Sequence, residues 1–163
     1  MALLLLAVAT APAQMSDVQF NVTRKKLDEQ KEREGGNTTV ITKEICYKVD
    51  VQNRTFKDIP ELTVKYMIFY EAPQGGTNEV VEAFHKGSET ITALQGNDKT
   101  TFETKPFKLT TEQLDGGWYY TTGAKNKAKD RVAGIWLKAF AGDKMVGEYV
   151  NPSTLSKKNT WKE

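Results

Sequence analysis

The sequence predicts an all-β chain folded as an antiparallel β-sandwich, and three observations carry that expectation. Apolar residues recur at every second position, the spacing that sends alternate side chains to one face of a strand. Turn-forming stretches such as Gly35-Gly36, Gly75-Gly76 and Gly116-Gly117 punctuate these segments. Nowhere does a strand alternate with a long amphipathic helix, as a parallel α/β sheet would require. Counting the segments gives about seven or eight strands joined by short turns.

Val18, Phe20 and Val22 alternate with Gln19, Asn21 and Thr23 and define a first half-buried strand. It runs into the charged stretch Arg24 to Glu34, where only Leu27 offers an apolar anchor. Residues 24–37 therefore read as the solvated tip of a long hairpin or a mobile excursion rather than a packed helix. Gly35-Gly36-Asn37 supplies the turn, and a strand over about Thr38 to Asn53 places Ile45, Tyr47, Val49 and Val51 on one face. Cys46, Lys48 and Asp50 share the other. The strongest strand covers 62–70, where Leu62, Val64, Tyr66, Ile68 and Tyr70 form one stripe. Met67 and Phe69 add apolar area behind it, the signature of a strand buried on both faces.

Pro73 and Gly75-Gly76 end that strand, and another over 79–86 turns Val81, Ala83 and His85 to one side. Further strands are expected at 90–94 and 100–109. Thr110-Thr-Glu-Gln113 has the spacing of a capping box, so a short helical turn is expected there. Residues 121–130 read as a loop, and 132–140 with 145–150 make the clearest hairpin, turning at Gly142-Asp143. Pro152 has no N–H to continue a ladder and stops the last strand. The architecture looks immunoglobulin-like or fibronectin-like, with no tryptophan framed by paired cysteines and no family motif.

The leader Met1 to Gln14 is an apolar run closing on Ala11-Pro12-Ala13, the small-x-small pattern of an export cleavage site. Residues 1–13 thus read as a signal peptide and 14–163 as one secreted, periplasmic or cell-surface domain. The run is too short to span a membrane, which takes about 20 apolar residues. Hydrophobic content of 39% and charged content of 27% are ordinary for a globular chain. A formal net charge of +2 argues against a nucleic-acid partner, which would need a concentrated basic face. With Cys46 the only cysteine, no disulfide can form within the chain.

His85 is the only histidine, which excludes a multi-histidine zinc site within one chain, and no phosphate loop, calcium loop or serine elbow is present. No metal or cofactor is expected. Carboxylates remain. Asp50, flanked by Val49 and Val51 in a strand, is the candidate whose pKa burial would raise, but no partner carboxylate is identifiable. The binding candidate is Gly116-Gly-Trp-Tyr-Tyr-Thr-Thr-Gly123, whose three adjacent rings cannot all enter one core. Strand alternation would bury Trp118 and Tyr120 and expose Tyr119, and core packing competes with a ligand platform. The basic stretch Lys125 to Arg131 reads as a flexible exposed loop whose Lys125, Lys127 and Arg131 surround that patch. Asn21, Asn37 and Asn53 each head an Asn-x-Thr sequon.

These readings converge on an exported, non-catalytic binding or surface-interaction module that recognises glycan or protein. The alternative is an acid hydrolase of extracellular glycoprotein, an aspartic-type protease or glycosidase, using Asp50 and a second carboxylate. A third reading, a subunit of a surface assembly, would pair through the edge of the strand around Val18 to Val22.

Overall fold

The computed structural model describes residues 16–161, so the expected leader lies outside the described residues. Strands β1 (Val18–Glu34), β2 (Thr38–Asn53), β3 (Ile59–Pro73), β4 (Val80–Leu94) and β5 (Lys99–Glu103) form the first part of the chain. Then come β6 (Phe107–Leu114), β7 (Lys127–Lys129), β8 (Arg131–Ala141), β9 (Lys144–Asn151) and the helical turn α1 (Leu155–Lys158). The strands build two antiparallel sheets packed as a sandwich. Sheet A has the order β1-β2-β6-β7 with β5 also beside β2, and sheet B has the order β4-β3-β8-β9.

The charged run does not leave the sheet. β1 pairs with β2 from Val18↔Asn53 to Glu34↔Thr38, with one register shift between Lys26 and Asp28 at Leu27. Backbone pairing carries the hairpin to its tip while the side chains beyond Val22 on β1 stay solvated. β2 serves two partners in turn, β6 along 38–45 and β5 along 48–52. Thr104 fills the break between them. Its Oγ1 accepts from the Tyr47 N–H at 2.9 Å, its own N–H donates to the Tyr47 carbonyl at 2.9 Å, and the residue is buried.

Between the sheets lie the predicted stripes: Ile45, Tyr47, Val49 and Val51 from β2 face Leu62, Val64, Tyr66 and Ile68 from β3. Leu62, Val64, Ile68 and Leu137 have no exposed surface, and each such burial contributes about 1.5–3 kcal/mol. The expected two-sided burial of β3 is also present. Met67 and Phe69 pack behind sheet B with Trp136 and Leu155 of α1. Trp161 meets Trp136 edge to face at 5.5 Å, and the Lys138 ammonium lies 4.8 Å and 5.1 Å from the two indole centroids. Cys46 is buried on the outer side of β2, where desolvation raises its thiol pKa.

Several expectations are corrected. β4 is one continuous strand, so 90–94 is not separate. Thr110 to Gln113 form no helical turn: Thr111 is buried facing the core and the stretch pairs with both β2 and β7, so sheet partners override the local capping signal. Lys127–Lys129 form an edge strand rather than a flexible loop. Asn53 is no accessible sequon. Fully buried, it donates from Nδ2 to the carbonyls of Lys57 (2.8 Å) and Gln95 (3.0 Å) and accepts at Oδ1 from Thr55.

Candidate functional site

The aromatic triplet sits in the β6–β7 connection, a loop tied at both ends. At its root the Asp115 carboxylate accepts from Thr39 Oγ1 at 2.7 Å and pairs with the Arg33 guanidinium at 2.9 Å. Those bonds, the one from Thr39 foremost, hold the Asp115 pKa below the usual aspartate value. The Asp115 N–H also donates to the Asn37 carbonyl at 2.9 Å, so the loop is anchored on the β1–β2 turn. Trp118 N–H closes a turn on Asp115 O at 3.2 Å through Gly117, whose φ of +91° only glycine adopts readily. Leu114 N–H meets Asn126 O at 2.9 Å and shuts the loop at its neck.

Because this segment is a loop, strand alternation does not apply to it, and the expected burial of Trp118 is corrected. Trp118 is 57% exposed and Tyr119 75% exposed. Tyr120 lies instead against the β3–β4 turn, its ring edge 3.3 Å from where a side chain on Gly76 would begin. Thr122 Oγ1 donates to the Gly76 carbonyl at 3.0 Å and adds a second tie to that turn.

Beside this contact, between the β3–β4 turn and β7, opens a cleft of about 890 Å³. Lys125, Lys127, Lys129 and Arg131 line it, opposed by the carboxylates of Glu71 and Glu79. None of these six side chains takes part in the ion pairs found among the described residues. The cations are held in place by chain geometry. β7 pairs with β6 over Thr111↔Lys129 and Gln113↔Lys127, and the chain then crosses to sheet B at Asp130. The Asp130 carboxylate accepts the Thr110 N–H at 2.7 Å, and burial pushes its pKa up. The structure thus gathers the sequence candidates Lys125, Lys127 and Arg131 in one cleft. It adds Lys129 and the polar turn residues Gln74, Thr77 and Asn78, which sequence reasoning missed. No local signal marks those turn residues, because their proximity to β7 depends on how the two sheets stack.

Asp50 lies elsewhere, on the outer face of sheet A. It accepts from Thr101 Oγ1 at 2.8 Å and Asn21 Nδ2 at 3.3 Å, and pairs with Lys99 Nζ at 3.1 Å. The expected upward shift is corrected: the Thr101 hydroxyl first, then Lys99, hold its pKa below the usual aspartate value. A carboxylate so stabilised as the anion is a poor proton donor, and its bonded partners include no second carboxylate. Its cation, Lys99, comes from β5, the strand beside β2. His85 is half-buried, stacked on Phe107 at 5.3 Å, and its Nε2 has no hydrogen-bond partner. No cluster of three His, Cys, Asp or Glu residues among the described residues is arranged to hold a metal ion. No helix among them is long and apolar enough to cross a membrane.

No protein family matches the chain, and no curated protein matches it. Among solved structures it is similar to an X-ray structure of a Northeast Structural Genomics Consortium target, at 8% identity and a TM-score of 0.33, over 90% of this chain and 96% of that one. It is also similar to a crystal structure from Akkermansia muciniphila, at 13% identity and a TM-score of 0.32, over 91% of this chain and 80% of that one. At such TM-scores neither likeness bears on function.

Proposed function

We propose that this protein is an exported, non-catalytic binding module that recognises acidic glycans. The observation that carries the reading is two exposed rings, Trp118 and Tyr119, on a tethered loop that leads into a cleft with four unpaired cations. Aromatic faces stack on the apolar faces of sugar rings, and the tethering limits the entropy lost when they do so. Lysine and arginine pair with carboxylate or sulfate groups carried on the same polymer. Export is supported by the apolar leader ending at Ala13.

The test is calorimetric titration with a sulfated or uronate-bearing oligosaccharide and with a neutral one of equal length. Binding of the acidic chain that weakens with added salt is expected. Trp118→Ala with Tyr119→Ala should weaken it by at least about tenfold, as truncating central aromatic contacts does. The melting temperature should hardly move, since neither ring is packed in the core. Equal binding of the neutral chain, unchanged affinity in the double variant, or binding only to a protein partner would overturn the reading.

A further inference from the structure

The two long edge strands, β1 and β4, are treated differently by the sequence. β1 ends sheet A, and nine of the eleven residues from Arg24 to Glu34 are charged, which guards an open edge against pairing. Its apolar beginning packs its inward side chains into the core. Val18 is buried, and Ser16 Oγ donates to the Val146 carbonyl of β9 at 3.1 Å, while the backbone of Val18 to Val22 pairs with β2 alone among the described strands. β4 ends sheet B with fifteen residues, no proline and three charged side chains. Val80, Val81 and Phe84 are exposed along it by 54%, 45% and 37%. Such an edge is a template for another strand.

The charges on β4 identify which strand. Phe84 lies on the outer face of sheet B opposite Phe69, and Glu82 and Lys86 flank it two residues away on the same face. If β4 meets β4 of a second copy antiparallel, about a two-fold axis at Phe84, each Glu82 stands opposite Lys86 of the second copy. The two Phe84 rings then face each other, and Val80 faces Ser88. Antiparallel pairing keeps directly opposed residues on one face, so these contacts form together. Within one copy, Glu82 sits directly across from Glu71 on β3, whose other cross-strand neighbour is Arg131 on β8, so Glu82 has no cation directly opposite it on β3. Lys86 of the second copy would place a cation on the free side of Glu82.

We propose that β4 is the contact strand of a symmetric dimer in which two four-stranded B sheets join through Phe84 and the reciprocal Glu82–Lys86 pairs. The partner is a second copy of this chain, and the contact is isologous, as a two-fold interface requires. The contact uses neither Trp118 nor Tyr119, although Val80 borders the cationic cleft as well.

The test is sedimentation equilibrium with charge exchange. Wild type is expected to dimerise reversibly. Glu82→Lys alone and Lys86→Glu alone each set like charges across the axis and should weaken the dimer by about tenfold or more. The double variant, Glu82→Lys with Lys86→Glu, restores opposite charges and should recover the dimer. Amide exchange on the wild type supplies a readout that needs no variant: β4 amides should become more protected as protein concentration rises. A wild type that stays monomeric, a dimer indifferent to the single exchanges, a double variant that fails to recover, or β4 protection independent of concentration would overturn the proposal.

Discussion

The Tyr66 phenol crosses directly over Gly87, its cross-strand partner on β4, and its hydroxyl accepts the backbone N–H of Lys105 at 2.9 Å. Tyr66 is buried within the core cluster between the sheets. A side chain at Gly87 would overlap the phenol oxygen and the ring carbon that bears it. The glycine is therefore required by packing: it lets a core tyrosine on sheet B reach the link between β5 and β6.

Gly87→Ala is accordingly expected to destabilise the fold by about 1–3 kcal/mol, the usual range for overpacking. Tyr66→Phe removes only the acceptor for Lys105 and should cost about 1 kcal/mol. Combining Tyr66→Phe with Gly87→Ala should cost less than the sum, because the phenol oxygen is the atom most crowded by the new methyl group. Urea unfolding of the three variants checks this. An unaffected Gly87→Ala would show that the ring can shift.

Acid sensitivity is expected to pass through His85. Burial lowers its pKa below the ordinary 6.5, so the folded chain holds it neutral while the unfolded chain protonates it. Stability from this group is fully present above 6.5 and is lost as pH falls through the lower folded value. His85→Phe keeps a ring against Phe107 and removes the unpartnered Nε2. It should be neutral or stabilising near pH 7 and should flatten the decline of the melting temperature below that pH. An unchanged pH profile in the variant would assign the decline to other groups.

Asn53 is expected to be among the least replaceable polar residues. Asn53→Asp would replace a donor to two carbonyls with a carboxylate facing them, while Asn53→Ala would take one donor from each carbonyl and leave the Thr55 N–H without its acceptor. Each substitution should cost at least about 2 kcal/mol, as unsatisfied buried polar groups do. Thermal melts of both variants test this, and a loss no larger than that of Asn21→Ala at an exposed position would contradict it.

Much of the fold was legible in the chain because strand faces follow a period of two that needs no knowledge of partners. The stripes on β2 and β3, the two-sided burial of Met67 and Phe69, and the turn at Gly142 were all readable locally. The errors came where a partner overrode a local signal. Thr110 to Gln113 carry capping chemistry, yet β2 and β7 on either side recruit them into a strand. Lys127–Lys129 are hydrophilic enough for a loop, yet the free edge of β6 pairs with them.

The candidate site divides in the same way. The sequence by itself determined that the aromatic triplet and the basic run exist, and that one histidine and one cysteine cannot build a multi-histidine zinc site within one chain. Only the tertiary structure decided that Trp118 and Tyr119 face outward, that Tyr120 rests on Gly76, and that Asp50 is held as an anion by Thr101 and Lys99. The reason is physical. Backbone periodicity sets which face a residue occupies. What meets that face depends on strand order and on the stacking of two sheets, through contacts between residues some fifty positions apart, such as Asp50 with Thr101.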